Sequence, residues 1–312
     1  MIISASRRTD IPTHYSQWLI NRIREGYVFV RNPMNPRQVS RISLSPEVVD
    51  GIVFWTKNPL PMMDKLPELR EYLYVFQFTL NAYGQDVEPN VPHKSKVMIP
   101  AFQRLSDAIG PERVLWRYDP ILLSDTYTME HHVRCFEVMA RRLEGYTKRC
   151  TISFLDSYRS MEKNARALGL QPLTQERQEA LAQALAPIAH HHGLEIVTCA
   201  EAGDFSRYDI GHGSCIDRAL FEYLLGCPLA AGRDKGQRPA CGCMESIDIG
   251  AYNTCGNGCL YCYANHSQGA VRANLAAHDP ESPLLFGAVG PEDHITERSV
   301  KSLCSGQTQM RL

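Results

Sequence analysis

Three cysteines, Cys255, Cys259 and Cys262, stand in CxxxCxxC spacing within the segment 247–266, IDIGAYNTCGNGCLYCYANH. Thiolates are ligands for zinc and for iron-sulfur clusters, and a catalytic metal site differs from a structural one in keeping a coordination position open. Cubane clusters usually take four thiolates, so three would leave one iron free to accept a substrate or cofactor. Asn253, Gly256, Asn257 and Gly258 are small or turn-forming. Such a loop can curl three thiols toward one centre, whereas a helix would scatter them. A zinc ribbon is the competing assignment. It needs a second CxxC pair, which the nearby Cys241-Gly242-Cys243 does not supply cleanly.

The chain has 11 cysteines, and only Cys135 and Cys150 lie in its first half. Cys199 ends LEIVTC, Cys215 sits in GHGSCID, and Cys241 with Cys243 forms CGC ahead of the cysteine loop. Four thiolates suffice for a second, closed centre, either an iron-sulfur cluster or a zinc; the alternative is a set of separate free thiols. Cys227, in ALFEYLLGC, reads as a buried structural thiol, as do Cys135 and Cys150. His190, His191 and His192 end a helical pattern, where partial positive charge is favoured, and are read that way rather than as a metal tract. His212 is a weaker alternative ligand, and His14 is a candidate acid or base close to Asp10.

These residues need a scaffold, and β-branched and aromatic runs alternating with helical patterns predict βα units around a parallel sheet. Strands are expected at 2–6, 51–57, 73–80, 113–118, 150–155, 194–199 and 247–252. Tyr27 to Arg31 and Arg41 to Ser45 predict an inserted hairpin over one rim. Met129, Val133, Phe136, Met139 and Leu143, like Leu181, Leu185 and Ile188, have helical spacing and read as core. The expected fold is a single partial or full TIM-like β/α barrel over residues 1–270, with 199–245 a candidate auxiliary metal-binding insertion and 271–312 a tail.

The CxxxCxxC loop with an aromatic, Tyr261, before its third cysteine resembles the radical S-adenosylmethionine (SAM) superfamily. CGNGCLYCYAN is similar to the spore photoproduct lyase branch. The resemblance implies a [4Fe-4S] cluster whose free iron chelates SAM, with Tyr261 near the adenine. That superfamily carries its cysteine loop after the first strand, whereas here it follows the last expected strand. The likeness is therefore to a circularly permuted form, feasible because the first and last strands of a nearly closed barrel are neighbours.

SASRRTDIPTHY resembles the second-strand turn of that branch through Thr9, Asp10 and Pro12, which implies Ser6, Thr9 and Asp10 as SAM contacts. FWTKNPLP, FQFTLN, WRYDPI and ISFLD put polar residues at strand C-terminal ends, the rim where barrel enzymes build their sites. Lys57, Asn81, Arg117 and Asp119 are the catalytic candidates there, with Asn58, Gln77, Thr79, Ser153 and Asp156 on the same mouth. The plainer role for any of them is a helix cap or an ion pair within the barrel. The pattern as a whole also resembles an uncharacterised family, domain of unknown function 1848.

The resemblance implies reductive cleavage of SAM to a 5'-deoxyadenosyl radical acting on an unknown substrate in a lyase- or oxidoreductase-type reaction, with a ferredoxin or flavodoxin as reductant. The rival is a zinc-binding or redox-sensing cysteine-rich interaction protein without SAM chemistry. Lys and Arg total 33 against 34 Asp and Glu, so net charge gives no support for nucleic acid, although DNA-lesion repair follows by analogy with the lyase branch. A peptide or small metabolite fits equally. No stretch approaches the roughly 20 apolar residues that span a bilayer, and a cytoplasmic protein is expected.

Overall fold

The computed structural model describes residues 1–156 and 161–304. Its strands are β1 (Ile2–Ala5), β2 (Tyr27–Asn32), β3 (Asn35–Ser43), β4 (Gly51–Thr56), β5 (Tyr74–Thr79), β6 (Val114–Ile121), β7 (Arg149–Phe154), β8 (Glu195–Cys199), β9 (Gly211–Gly213), β10 (Ile247–Asp248) and β11 (His294–Glu297). The α-helices are α1 (Ile11–His14), α2 (Ser16–Glu25), α3 (Leu60–Met63), α4 (Ile99–Ile109), α5 (Met129–Leu143), α6 (Glu162–Ala167), α7 (Gln175–His191), α8 (Arg218–Leu225) and α9 (Gln268–Ala276).

Eight strands form one sheet in the order β10-β1-β4-β5-β6-β7-β8-β9. Every pair in it is parallel. The sheet does not close, because β10 and β9 stand at opposite edges, which corrects the full-barrel form of the expectation. Both edges are short: β10 has two residues and β9 three. The expected strand 247–252 stops early because the Asp248 carboxylate draws the following Gly250 amide back onto itself at 2.9 Å.

Parallel strands buried on both faces read as near-continuous apolar runs, and this sheet shows why. Ile3, Ile52, Phe54, Phe76, Phe78 and Trp116 face the helical layer, where Trp116 stacks on Phe136 of α5 and Phe78 on Phe102 of α4. Ile2, Val53 and Val75 point the other way, against Phe221 of α8, Met244 and four cysteines, Cys199, Cys215, Cys241 and Cys243. The second face is thus covered by the cysteine-rich part of the chain.

The expected hairpin is present as antiparallel β2 and β3, and β11 from the tail extends it to three strands. Cys227 is not a free thiol; it forms a disulfide with Cys304. Cys150 is buried and free, while Cys135 is partly exposed. Among the described residues no helix is long and apolar enough to cross a membrane. Phe102 is fully buried, so Phe102→Ala should lower stability by about 3–5 kcal/mol in urea unfolding. A loss below about 1 kcal/mol would show that this layer does not form.

Candidate functional site

The loop carrying Cys255, Cys259 and Cys262 leaves β10 and is tied down along its length. Asn253 takes a left-handed conformation at φ 56°, tolerable for Asn, and its Oδ1 accepts from the His266 amide at 2.6 Å. Gly258 has φ +72°. At Gly256 a Cβ would stand 2.9 Å from the His14 ring, so the glycine permits close approach. The Asn257 Nδ2 donates to Asp10 Oδ2 at 2.9 Å, its Oδ1 meets His14 Nε2 at 3.0 Å, and Tyr15 donates to the Thr254 carbonyl at 2.6 Å. Asn90 Nδ2 donates to the Gly256 carbonyl and Asn265 Nδ2 to that of Cys255. His14 therefore braces the loop.

All three thiols open onto one cavity of about 490 Å³. It sits at the C-terminal ends of the parallel strands, as expected, and is also lined by Ser6, Arg7, Thr9 and Asp10 from the turn after β1. Lys57, Thr79, Arg117, Asp119, Ser153, Asp156, Tyr261 and the cysteines at 199, 215, 241 and 243 complete much of the wall. The structure thus brings together the expected site residues except Asn58, Gln77 and Asn81. The Asn81 side chain lies behind Tyr261, donates to its hydroxyl at 3.1 Å, and lines a neighbouring cavity of about 630 Å³. Asn58 and Gln77 do not line the cysteine cavity: Gln77 bonds the Cys215 carbonyl at 2.8 Å. No residue of the β2–β3 hairpin lines it, so the hairpin does not cover this rim.

Several expected contacts have structural partners. Asp10 caps α1 through Thr13 N at 3.0 Å and accepts from the Lys57 amide at 2.8 Å. Ser6 Oγ donates to Asp248 Oδ1 at 2.6 Å. Arg117 pairs with Asp119, with Nε to Oδ2 at 2.8 Å, and Ser153 donates to the same carboxylate. His192 bonds Glu144 at 3.0 Å at the end of α7 and does not line the cavity. His212 lies on β9 beside Thr198 at 3.4 Å and does not line the cavity.

No metal or cofactor is part of this structure, and among the described residues no three His, Cys, Asp or Glu side chains already enclose a metal position. The donor set nonetheless fits a thiophilic cluster. Burial pushes the Cys259 thiol up to about 12 and the Cys255 thiol well above the ordinary range. Such thiols become ligands only when a cation offsets the cost of three thiolates in one place. Two buried oxygens beside the site, Thr9 Oγ1 and Asn81 Oδ1, have no hydrogen-bond partner, and neither does Arg7 Nη2. Unsatisfied buried polar atoms of this kind mark where a ligand would bond.

The sequence reading missed Glu88, which lies behind this wall and anchors Lys57 and Tyr261. It accepts from Lys57 Nζ at 2.7 Å and also pairs with Lys94 and with the Tyr261 hydroxyl. It falls in the irregular GQDVEPN segment, where no periodicity marks a buried residue. Asp248 was missed as well, though its place in an apolar strand was a signal; it accepts from Ser4, Ser6 and the Arg7 amide. Burial opposes the charge on Glu88, but Lys57 and Lys94 outweigh it and hold its carboxyl down to about 2 from an ordinary 4.5. A depressed carboxyl stabilises the fold above its unfolded value and loses that contribution as pH falls through the folded value. Wild type should therefore exceed Glu88→Gln in stability by about 3 kcal/mol near neutrality, where the variant leaves two buried lysines unpaired. Denaturant unfolding should show that difference shrinking as pH falls from 4.5 toward 2, and a difference constant across that range would contradict the assignment.

No curated protein matches this chain. Residues 2–264 match the family model described as Domain of unknown function (DUF1848), a span running from β1 to just past Cys262. The match thus includes both the turn after β1 and the cysteine loop that meet at the cavity, and the chain belongs to the DUF1848 family.

Proposed function

We propose that this chain is a radical SAM enzyme in which Cys255, Cys259 and Cys262 hold a [4Fe-4S] cluster and the turn after β1 holds SAM. The observation carrying this reading is that three thiols on a braced loop open onto the same cavity as Ser6, Thr9 and Asp10, residues far away in sequence. Bound there, the cluster would supply the electron that cleaves SAM to methionine and a 5'-deoxyadenosyl radical, drawn from a small reductant protein such as ferredoxin or flavodoxin. On this reading the open sheet is a partial, circularly permuted barrel.

The protein's own contribution is position. Asp10 holds Asn257 and the Lys57 amide together, which fixes the distance between the cysteine loop and the N-terminal turn. Arg7 Nη2 and Thr9 Oγ1 offer an unused donor and an unused hydroxyl to a polar group of the ligand. Tyr261 presents its ring to the cavity while its hydroxyl is anchored by Lys57 at 2.8 Å. Arg117 and Asp119, paired side by side on β6, give the wall both signs of charge, which suits a polar substrate such as a metabolite or peptide.

Reconstituted anaerobically with iron and sulfide and reduced with dithionite, the chain should turn brown and produce 5'-deoxyadenosine from SAM. Replacing Cys255, Cys259 or Cys262 with Ala should abolish that turnover. Asp10→Asn, which loosens the loop without removing a ligand, should reduce it about 10–100-fold. A reconstituted chain that stays colourless and leaves SAM intact overturns the proposal and favours the cysteine-rich interaction protein.

A further inference from the structure

Four thiols outside the CxxxCxxC loop remain unexplained by that chemistry. Cys199 ends β8, Cys215 follows β9, and Cys241 and Cys243 lie in the segment 226–246, which has no helix or strand of its own. All four are buried, at 9%, 9%, 7% and 1% exposure. Cys199 Sγ lies 3.0 Å from Cys215 Sγ, and all four cysteines pack in one buried cluster and wall the same cavity. Three stretches of chain thus converge.

The surroundings are those of a thiolate site. The Ile216 amide donates to Cys243 Sγ at 3.4 Å, and Arg117 Nη1 donates to Cys215 Sγ at 2.9 Å. Such donors orient and stabilise metal-bound sulfur. The Cys227–Cys304 disulfide ties the start of the segment 226–246, and its far end around the CGC has no such covalent tie. Residues 235–240 are exposed, while Arg233 bridges Met244 and the Asp234 amide donates to the Cys243 carbonyl at 2.9 Å on either side of them. The entropy of ordering residues 235–240 is not offset by burial of their own, and structural metals commonly supply what a small core cannot.

We propose that Cys199, Cys215, Cys241 and Cys243 form a second, closed site for a single thiophilic divalent ion of the zinc type. Tetrahedral zinc with Zn–S near 2.3 Å sets its sulfurs about 3.8 Å apart. The Cys199–Cys215 contact must open by about 0.8 Å to fit, and deprotonation drives the thiolates apart in that direction. A cubane instead holds its four thiolates on separate irons, which suits sulfurs in mutual contact poorly. Binding releases the thiol protons and transfers no electrons. The ion would fasten the end of β8 to the CGC segment, closing the second face of the sheet beside the SAM cavity. The inference does not rest on SAM binding.

The test uses the full chain with Cys255, Cys259 and Cys262 all replaced by Ala, which removes the first site and leaves the second. Reduced, stripped of metal and titrated with Co²⁺, it should take up one ion per chain with the intense visible bands of tetrahedral thiolate cobalt. Zn²⁺ should displace that ion and raise the thermal midpoint. Adding Cys215→Ser or Cys243→Ser should abolish the spectrum, whereas Cys150→Ser, a buried thiol elsewhere, should not. Should a serine variant fail to fold, the cobalt spectrum of the parent still decides, because its intensity reports the number of thiolates bound. A weak octahedral spectrum, uptake of iron and sulfide in place of a single ion, or recovery of Cys199 and Cys215 as a disulfide under reducing conditions each overturns the proposal. None of these outcomes bears on SAM cleavage by the unmodified chain.

Discussion

Two carboxylates, the half-buried Asp248 and the buried Asp10, tie the N-terminal strand to the cysteine loop. Asp248, on β10, accepts from Ser4 at 2.7 Å, Ser6 at 2.6 Å and the Arg7 amide at 2.9 Å. Asp10 returns the tie by accepting from Asn257 at 2.9 Å. A buried carboxylate without donors costs about 1–3 kcal/mol or more, so the conformations that supply donors on both strands are strongly selected. The consequence is that β10 pairs with β1 in parallel, and the cysteine loop is delivered to the turn that follows β1.

The rest of the rim shows how charge is carried into an apolar fold. Behind the strand ends lie fully buried aromatic layers, yet Lys57, Lys94, Glu88, Arg117 and Asp119 are packed just above them. Each charge is matched locally, which limits the desolvation penalty. Glu88 holds Lys57 above the ordinary lysine value although burial works against it, while Lys94, where burial dominates, falls below. Three of the polar atoms left without partners, Arg7 Nη2, Thr9 Oγ1 and Asn81 Oδ1, belong to residues that line the cavities.

The second face of the sheet has its own cover, distinct from the helical layer. Ile2, Val53 and Val75 need an apolar cover, and α8 with the cysteine-rich segment provides it. The cysteines therefore serve two environments at once: they complete a core that backs the sheet, and they wall the cavity at its rim.

Periodicity alone placed β1 and β4 through β8 within a few residues, because a strand buried on both faces must be written in apolar residues whatever its neighbours are. It also placed the CxxxCxxC loop and the polar strand ends, since ligand-type residues and turn glycines are local signals. It did not place β9, a GHG with no β-branched residue, or β11 in the tail, because both exist only through pairing with a strand already in position. Nor did it reveal Glu88, whose burial depends on two lysines brought from separate loops, or the pairing of Cys227 with Cys304. Asn81 reads like its neighbours at the strand ends, yet its side chain turns behind Tyr261. Residue chemistry was thus local and readable, while strand order, an open rather than closed sheet, and the meeting of Asp10 with Asn257 required long-range contacts that only the folded chain makes.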